Sequence, residues 1–145
     1  MSMLKKIVVV VVVIFACNQL VLSQTDHYKL IIFEGSDWCA NCIRFEKTIG
    51  SSQLFQSFIE EQNITIEHID FPQRKKLEAN IVEYNAKIAE KYQFDGIFPT
   101  ILMVHTSSNN YEKISYNNQD PESFIALLKQ KMSGSEWKLI QSRAS

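Results

Sequence analysis

Two cysteines, Cys39 and Cys42, stand three residues apart in Trp38-Cys39-Ala40-Asn41-Cys42, just after an apolar run. Thiols at that spacing, at the start of a helix, can close and reopen as a disulfide and so pass two electrons reversibly. The attacking species is the thiolate, which the unpaired N–H groups and partial positive charge of a helix start favour. Cys39, at the first turn, would be the exposed nucleophile, its pKa drawn into the range of about 3.5–7.5. Cys42, one turn on and facing inward, would then displace the mixed disulfide. Other uses of the pair fit less well. A disulfide across so short a loop removes little chain entropy, roughly 2 kcal/mol against about 4.7 for a long loop. Zinc needs four ligands, and His27, His68 and His105 are isolated in the sequence. Covalent haem needs His where Ile43 stands. No metal and no bound cofactor is expected.

The elements that must position this pair can be read on both sides of it. Lys29-Leu30-Ile31-Ile32-Phe33 is a short apolar run closed by the polar turn Glu34-Gly35-Ser36-Asp37, and reads as a buried strand. A helix is expected from near Cys39 to about Ile49, with Phe45 and Ile49 sharing the inner face with Cys42. Gly50-Ser51-Ser52 breaks it, and Ser52 caps a second helix carrying Leu54, Phe55, Phe58 and Ile59 at helical spacing. Ile64 to Ile69 reads as a second strand. A long helix comes next, from about Leu77 to Tyr92, with Ile81, Tyr84, Ile88, Ala89 and Tyr92 along one stripe. Thr100 to Val104 and Tyr111 to Tyr116 form a hairpin pair. Asp120 and Pro121 start a last helix, packed through Phe124, Leu127, Leu128 and Met132 and ended by Gly134. This order calls for an α/β fold, a central mixed sheet flanked by helices, with right-handed crossovers between the first strands and an antiparallel last pair.

The chain of 145 residues is one domain, expected over 24–134, with a C-terminal tail over 135–145. Residues 1–23 read as a secretory signal: Lys5 and Lys6, an apolar core from Ile7 to Ala16, and Val21-Leu22-Ser23 before the cut. The core falls short of the ~20 residues that span a bilayer. An alternative takes Ile14-Phe15-Ala16-Cys17 as a degraded lipoprotein box with Cys17 lipidated; the membrane enters only through that lipid or a retained signal. Removing 1–23 takes away two lysines and no acid, so the formal charge goes from −1 to −3. That mild acidity argues against nucleic acid as a partner. The expected location is periplasmic or otherwise extracytoplasmic, as a monomer. An exported domain stabilised by disulfides carries several pairs, whereas the mature chain keeps only Cys39 and Cys42.

From about Tyr28 to Met132 the chain resembles the thioredoxin superfamily. The likeness rests on a strand, then Trp38-Cys39-Ala40-Asn41-Cys42, then Phe98-Pro99-Thr100 entering a later strand. It implies a thioredoxin-like fold, a cis peptide at Pro99 beside the dithiol, and substrate contact through Trp38, Phe98, Pro99 and Thr100. A closer likeness is to exported members with a Gly-Ser-Asp-Trp-Cys approach (Gly35 to Cys39) and an Asp-Phe-Pro stretch (Asp70 to Pro72). The Ala40-Asn41 dipeptide is similar to that in the periplasmic domain of the transmembrane thiol reductant. The resemblance implies an exported thiol–disulfide oxidoreductase acting on protein thiols and disulfides, as reductant or isomerase, fed by a membrane electron donor. Potentials in the superfamily span about −270 to −120 mV. The alternative is a thioredoxin-like binding module that holds a partner or Cu(I), with little turnover.

Two departures from the pattern carry expectations of their own. Thioredoxins bury an Asp six residues before the first cysteine, and here that position is Phe33. Strand alternation is expected to turn the neighbouring Glu34 to the other face. Deprotonation of Cys42 would then fall to water, to Glu34 after a local bulge, or to Asp37, which is also placed to cap the helix. The stretch from Asp70 to Pro99 is longer than in thioredoxin, so residues 73–83 read as a helical insertion before the cis-proline strand. Its Arg74, Lys75 and Lys76 are expected to emerge at the sheet edge that carries the dithiol, and to favour the Cys39 thiolate or an acidic partner.

Overall fold

The computed structural model describes residues 27–134; the expected signal over 1–23, Cys17 and the expected tail over 135–145 lie outside them. Four strands form one mixed sheet: β1 (Tyr28–Glu34), β2 (Thr65–Asp70), β3 (Thr100–His105) and β4 (Tyr111–Ile114), in spatial order β2-β1-β3-β4. β1 pairs parallel with β2 and antiparallel with β3, and β3 pairs antiparallel with β4. The helices are α1 (Ala40–Phe45), α2 (Gln53–Glu61), α3 (Ala79–Lys91) and α4 (Pro121–Ser133). β1 and β3 are the central strands, and every residue of β3 is buried. That is the pattern of strands covered on both faces.

Side-chain alternation along β1 divides the core in two. Leu30 and Ile32 face the layer built by Phe45, Ile49, Phe55, Phe58, Phe124 and Leu128. Ile31 and Phe33 face the other way, with Ile69, Leu102, Val104 and Tyr92. Ser52 caps α2 and Asp120 caps α4, where its carboxylate accepts the Ser123 N–H at 2.8 Å behind Pro121 at the helix start.

Several boundaries differ from expectation for identifiable reasons. The first helix is α-helical only to Phe45; residues Glu46–Gly50 then widen into a π turn, closed by Ser51 N–H to Glu46 O at 2.8 Å. α3 starts at Ala79 rather than Leu77, so 73–78 is an ordered loop and only the rest of the expected insertion is helical. The stripe through Ile81 and Tyr84 is not the buried one, for both are more than 40% exposed. Asn85 is buried instead, its amide donating to Asp70 O at 2.8 Å, and Ile88, Ala89 and Tyr92 complete the contact. β4 stops at Ile114, freeing Tyr116 to set its ring 5.0 Å from Phe45.

Candidate active site

The sheet register brings the chemistry to one edge. β1 ends at Glu34, β2 ends beside it at Asp70, and β3 begins opposite Phe33 at Thr100. The turn after β1 therefore shares an edge with Pro99, and the Phe98–Pro99 peptide is cis. Trp38 and Cys39 N–H groups both donate to Gly35 O, at 3.2 and 2.9 Å, and coil the chain into α1. Gly35 is required by close approach: a Cβ there would lie 2.4 Å from the Trp38 indole.

Cys39 is the N-cap of α1, not its first helical residue. Its sulfur accepts the Cys42 N–H at 3.2 Å, and the two cysteines are joined as a disulfide with Cα atoms 5.2 Å apart. Cys39 is 7% exposed and Cys42 2%, so Cys39 is the less buried of the two, but it is not the exposed residue expected at the first turn. A backbone N–H aimed at the Cys39 sulfur stabilises negative charge on it when the pair is reduced.

The loop after β2 is fastened to this turn by two carboxylates. Asp37 accepts the backbone N–H groups of Gln73, Arg74 and Lys75 at 2.9, 2.7 and 2.8 Å. Burial works against its charge, yet these bonds outweigh it and hold the carboxyl below its ordinary range. Asp37 therefore caps the loop, not α1. Asp70 accepts from Ser36 N–H at 2.9 Å and Ser36 Oγ–H at 2.7 Å, and pairs with Lys75 Nζ at 2.7 Å. Burial again opposes, while Lys75 and Ser36 prevail and keep Asp70 ionised at lower pH than usual. The basic run thus reaches the site edge through its backbone. Lys75 is engaged by Asp70, and Arg74 and Lys76 are exposed, so the expected pull of these charges on the Cys39 thiolate has no contact behind it among the described residues.

Alternation does turn Glu34 to the face opposite Phe33, but that face, not the one Phe33 takes, carries Cys42. Glu34 shares parity with Leu30 and Ile32 and so lies on the α1 face, where it lines a cavity of about 420 Å³ together with Cys42. Phe33 takes the opposite face, stacked on Phe94 at 4.4 Å. His68, isolated in the sequence, reaches the same cavity, its Nδ1 2.9 Å from Glu34 Oε1. The hydrogen bond to Glu34 raises the imidazole pKa; burial opposes, and the charges of Glu34, Glu46 and Asp70 add to the rise. The signal that could have found it is the parity of Ile32 with Glu34 on β1 and of His68 with Asp70 on β2, once the two strands are paired in parallel.

Rings close the other side. Trp38 meets Phe98 edge-on at 5.3 Å and donates its indole N–H to Phe71 O at 2.8 Å. Phe98 also meets Phe94 and Phe71, at 5.0 and 5.8 Å. Thr100 is 5% exposed and its hydroxyl donates to Ile97 O at 2.8 Å, so its side chain closes the turn before β3 rather than facing a substrate. Among the described residues no group of three or more His, Cys, Asp or Glu is placed to hold a metal, and no helix is long and apolar enough to cross a membrane.

No protein-family model matches the chain. It is similar to two curated proteins of Chlamydia pneumoniae. One, named disulfide bond reductase DsbH, is 24% identical over 108 residues, which cover 74% of this chain and 64% of the relative. The other, named thioredoxin-related protein DsbJ, is 24% identical over 90 residues, or 62% of this chain and 26% of the relative. The chain thus spans less than two thirds of the length of either. Among solved structures, a DsbH oxidoreductase superposes with a TM-score of 0.66 at 21% identity, over 74% of this chain and 73% of that one. A thioredoxin from Thermus thermophilus superposes with a TM-score of 0.51 at 15% identity, over 75% and 78%. The fold is thioredoxin-like.

Proposed function

We propose that this thioredoxin-superfamily protein is an exported thiol–disulfide oxidoreductase that exchanges disulfides with protein substrates through Cys39 and Cys42. The observation that carries the reading is the Cys39–Cys42 disulfide straddling the start of α1, with the Cys39 sulfur on a backbone N–H. In the reducing direction the Cys39 thiolate attacks a substrate disulfide, forms a mixed disulfide and releases one substrate thiolate. Cys42 then attacks Cys39; the internal disulfide forms and the second substrate thiolate leaves with its electron pair. Two electrons pass to the substrate and no bound cofactor is required.

The name of the DsbH relative, a disulfide bond reductase, supports the reducing direction over the oxidising one. A membrane thiol reductant would return the electrons on the outer side of the membrane, as the signal-like residues 1–23 imply. Substrate docking falls to Trp38, Phe98 and Pro99, with Ile43 and Ile97, 48% and 60% exposed, as apolar flanks.

Reduction of insulin by dithiothreitol, with and without the protein, tests this. The unsubstituted protein is expected to accelerate precipitation of the reduced chains, Cys39→Ser to abolish the acceleration, and Cys42→Ser to accumulate a mixed disulfide. Equal rates with and without Cys39 would overturn the reading and leave a binding module.

A further inference from the structure

Exchange through this pair, which rests on the proposed function, sets a problem that Cys42 cannot solve alone. Cys42 is 2% exposed, and only its thiolate, not its thiol, can displace the mixed disulfide. A proton acceptor must therefore serve it. The groups that share its cavity can be compared one by one. Lys47 has no acceptor lone pair when charged, and the serine hydroxyls are not basic. Carboxylates as a class are weak bases beside a thiol, which sets aside Glu46 and also Glu34, whose Oε1 is already engaged by His68 Nδ1. His68 is matched, since an imidazole titrates within a few units of a cysteine.

The geometry also fixes which nitrogen does the work. Glu34 Oε1 lies 2.9 Å from His68 Nδ1, and a carboxylate only accepts, so Nδ1 carries the proton and Nε2 holds the lone pair in the neutral ring. A cavity of about 420 Å³ admits several waters, each of which occupies ~30 Å³, so a proton can cross it by relay. We propose that His68 Nε2 takes the proton of Cys42 as the mixed disulfide resolves, with Glu34 as the positioning residue that sets the ring and stabilises the imidazolium.

The step balances. Cys42–SH gives its proton to His68; the Cys42 thiolate attacks Cys39 Sγ; the Cys39–Cys42 bond forms as the bond from Cys39 to the substrate sulfur breaks. The leaving thiolate carries away the electron pair, and imidazolium returns its proton to solvent. In the reverse direction His68 in its charged form protonates Cys42 as the internal disulfide opens. The charges facing His68 are Glu34 from β1, Asp70 at the end of β2, and Glu46 and Lys47 from the π turn. The three carboxylates raise the imidazole pKa, and Lys75 on Asp70 tempers one of them.

Mixing the reduced protein with Ellman's reagent separates the two sulfurs in time: Cys39 releases the first thionitrobenzoate and Cys42 the second. The second rate is expected to rise with pH through one inflection that coincides with the His68 imidazole titration read by NMR in the same unsubstituted protein. In His68→Gln that inflection disappears and the second rate at neutral pH falls about tenfold or more, as loss of a general base does. In Glu34→Gln the inflection moves to lower pH. A second-release profile in His68→Gln that superimposes on the original, or an inflection away from the NMR titration, overturns the proposal; an unmoved inflection in Glu34→Gln removes Glu34 from it. Absence of the first release is a different failure, that of the exchange reading itself.

Discussion

The last two residues of β1 face opposite sides of the sheet, and the two sides are built for different work. Phe33 is fully buried against Ile69, Leu102 and Tyr92 and stacks on Phe94, which in turn meets Phe71 and Phe98. Glu34 opens onto a cavity with His68 and Cys42. One side is a sealed aromatic wall that fixes where β1, β2 and the segment before β3 meet; the other sets a hydrogen-bonded carboxylate and imidazole around a cavity that a cysteine also lines. A single step along a strand exchanges packing for proton chemistry, because successive side chains point to opposite faces.

The contrast predicts that the two residues fail differently. Phe33→Ala removes a fully buried ring and is expected to cost about 3–5 kcal/mol, read by urea unfolding. A cost below about 1 kcal/mol would mean the aromatic wall does not hold the edge together. Glu34→Gln acts on pH dependence instead. The folded His68 pKa is raised, so the stabilisation from the pair is fully present below the unfolded imidazole value of about 6.5, and is lost as pH rises through the folded value. The imidazole is 46% exposed, which limits the effect to at most about 1 kcal/mol. Unfolding of the unsubstituted protein and of Glu34→Gln should therefore differ below about pH 6 and converge in alkaline buffer; a difference that grows with pH would contradict the pairing.

Much of this site is legible from residue order alone. The helix-start pair at Cys39 and Cys42, the Pro99 strand entry and the order of elements all depend on short-range pattern, which sequence carries directly. What escapes depends on distant partners. Asp37 looks like a helix cap because it precedes Cys39, and only the folded loop supplies the three N–H groups at 73–75 that it takes instead. Ile81 and Tyr84 mimic a buried stripe, whereas the contact that matters is polar, Asn85 to the carbonyl of Asp70. His68 looks isolated until β2 lies parallel to β1 and sets it diagonal to Glu34. The family pattern makes the Phe33 position the one that serves the dithiol, and so points Glu34 away from it. Leu30 and Ile32, which face the α1 layer, set the parity the other way.

Cys39 must be the sulfur that ionises first if the pair is to exchange as proposed. The rate of iodoacetamide alkylation of the reduced protein, monitored against pH with modification assigned to each cysteine by peptide mass, measures this directly. Cys39 is expected to be modified first, with a midpoint at least about one unit below the free thiol value of about 8.5, and Cys42 to stay protected until alkaline pH. Midpoints that coincide at the free thiol value, or modification of Cys42 ahead of Cys39, would contradict it.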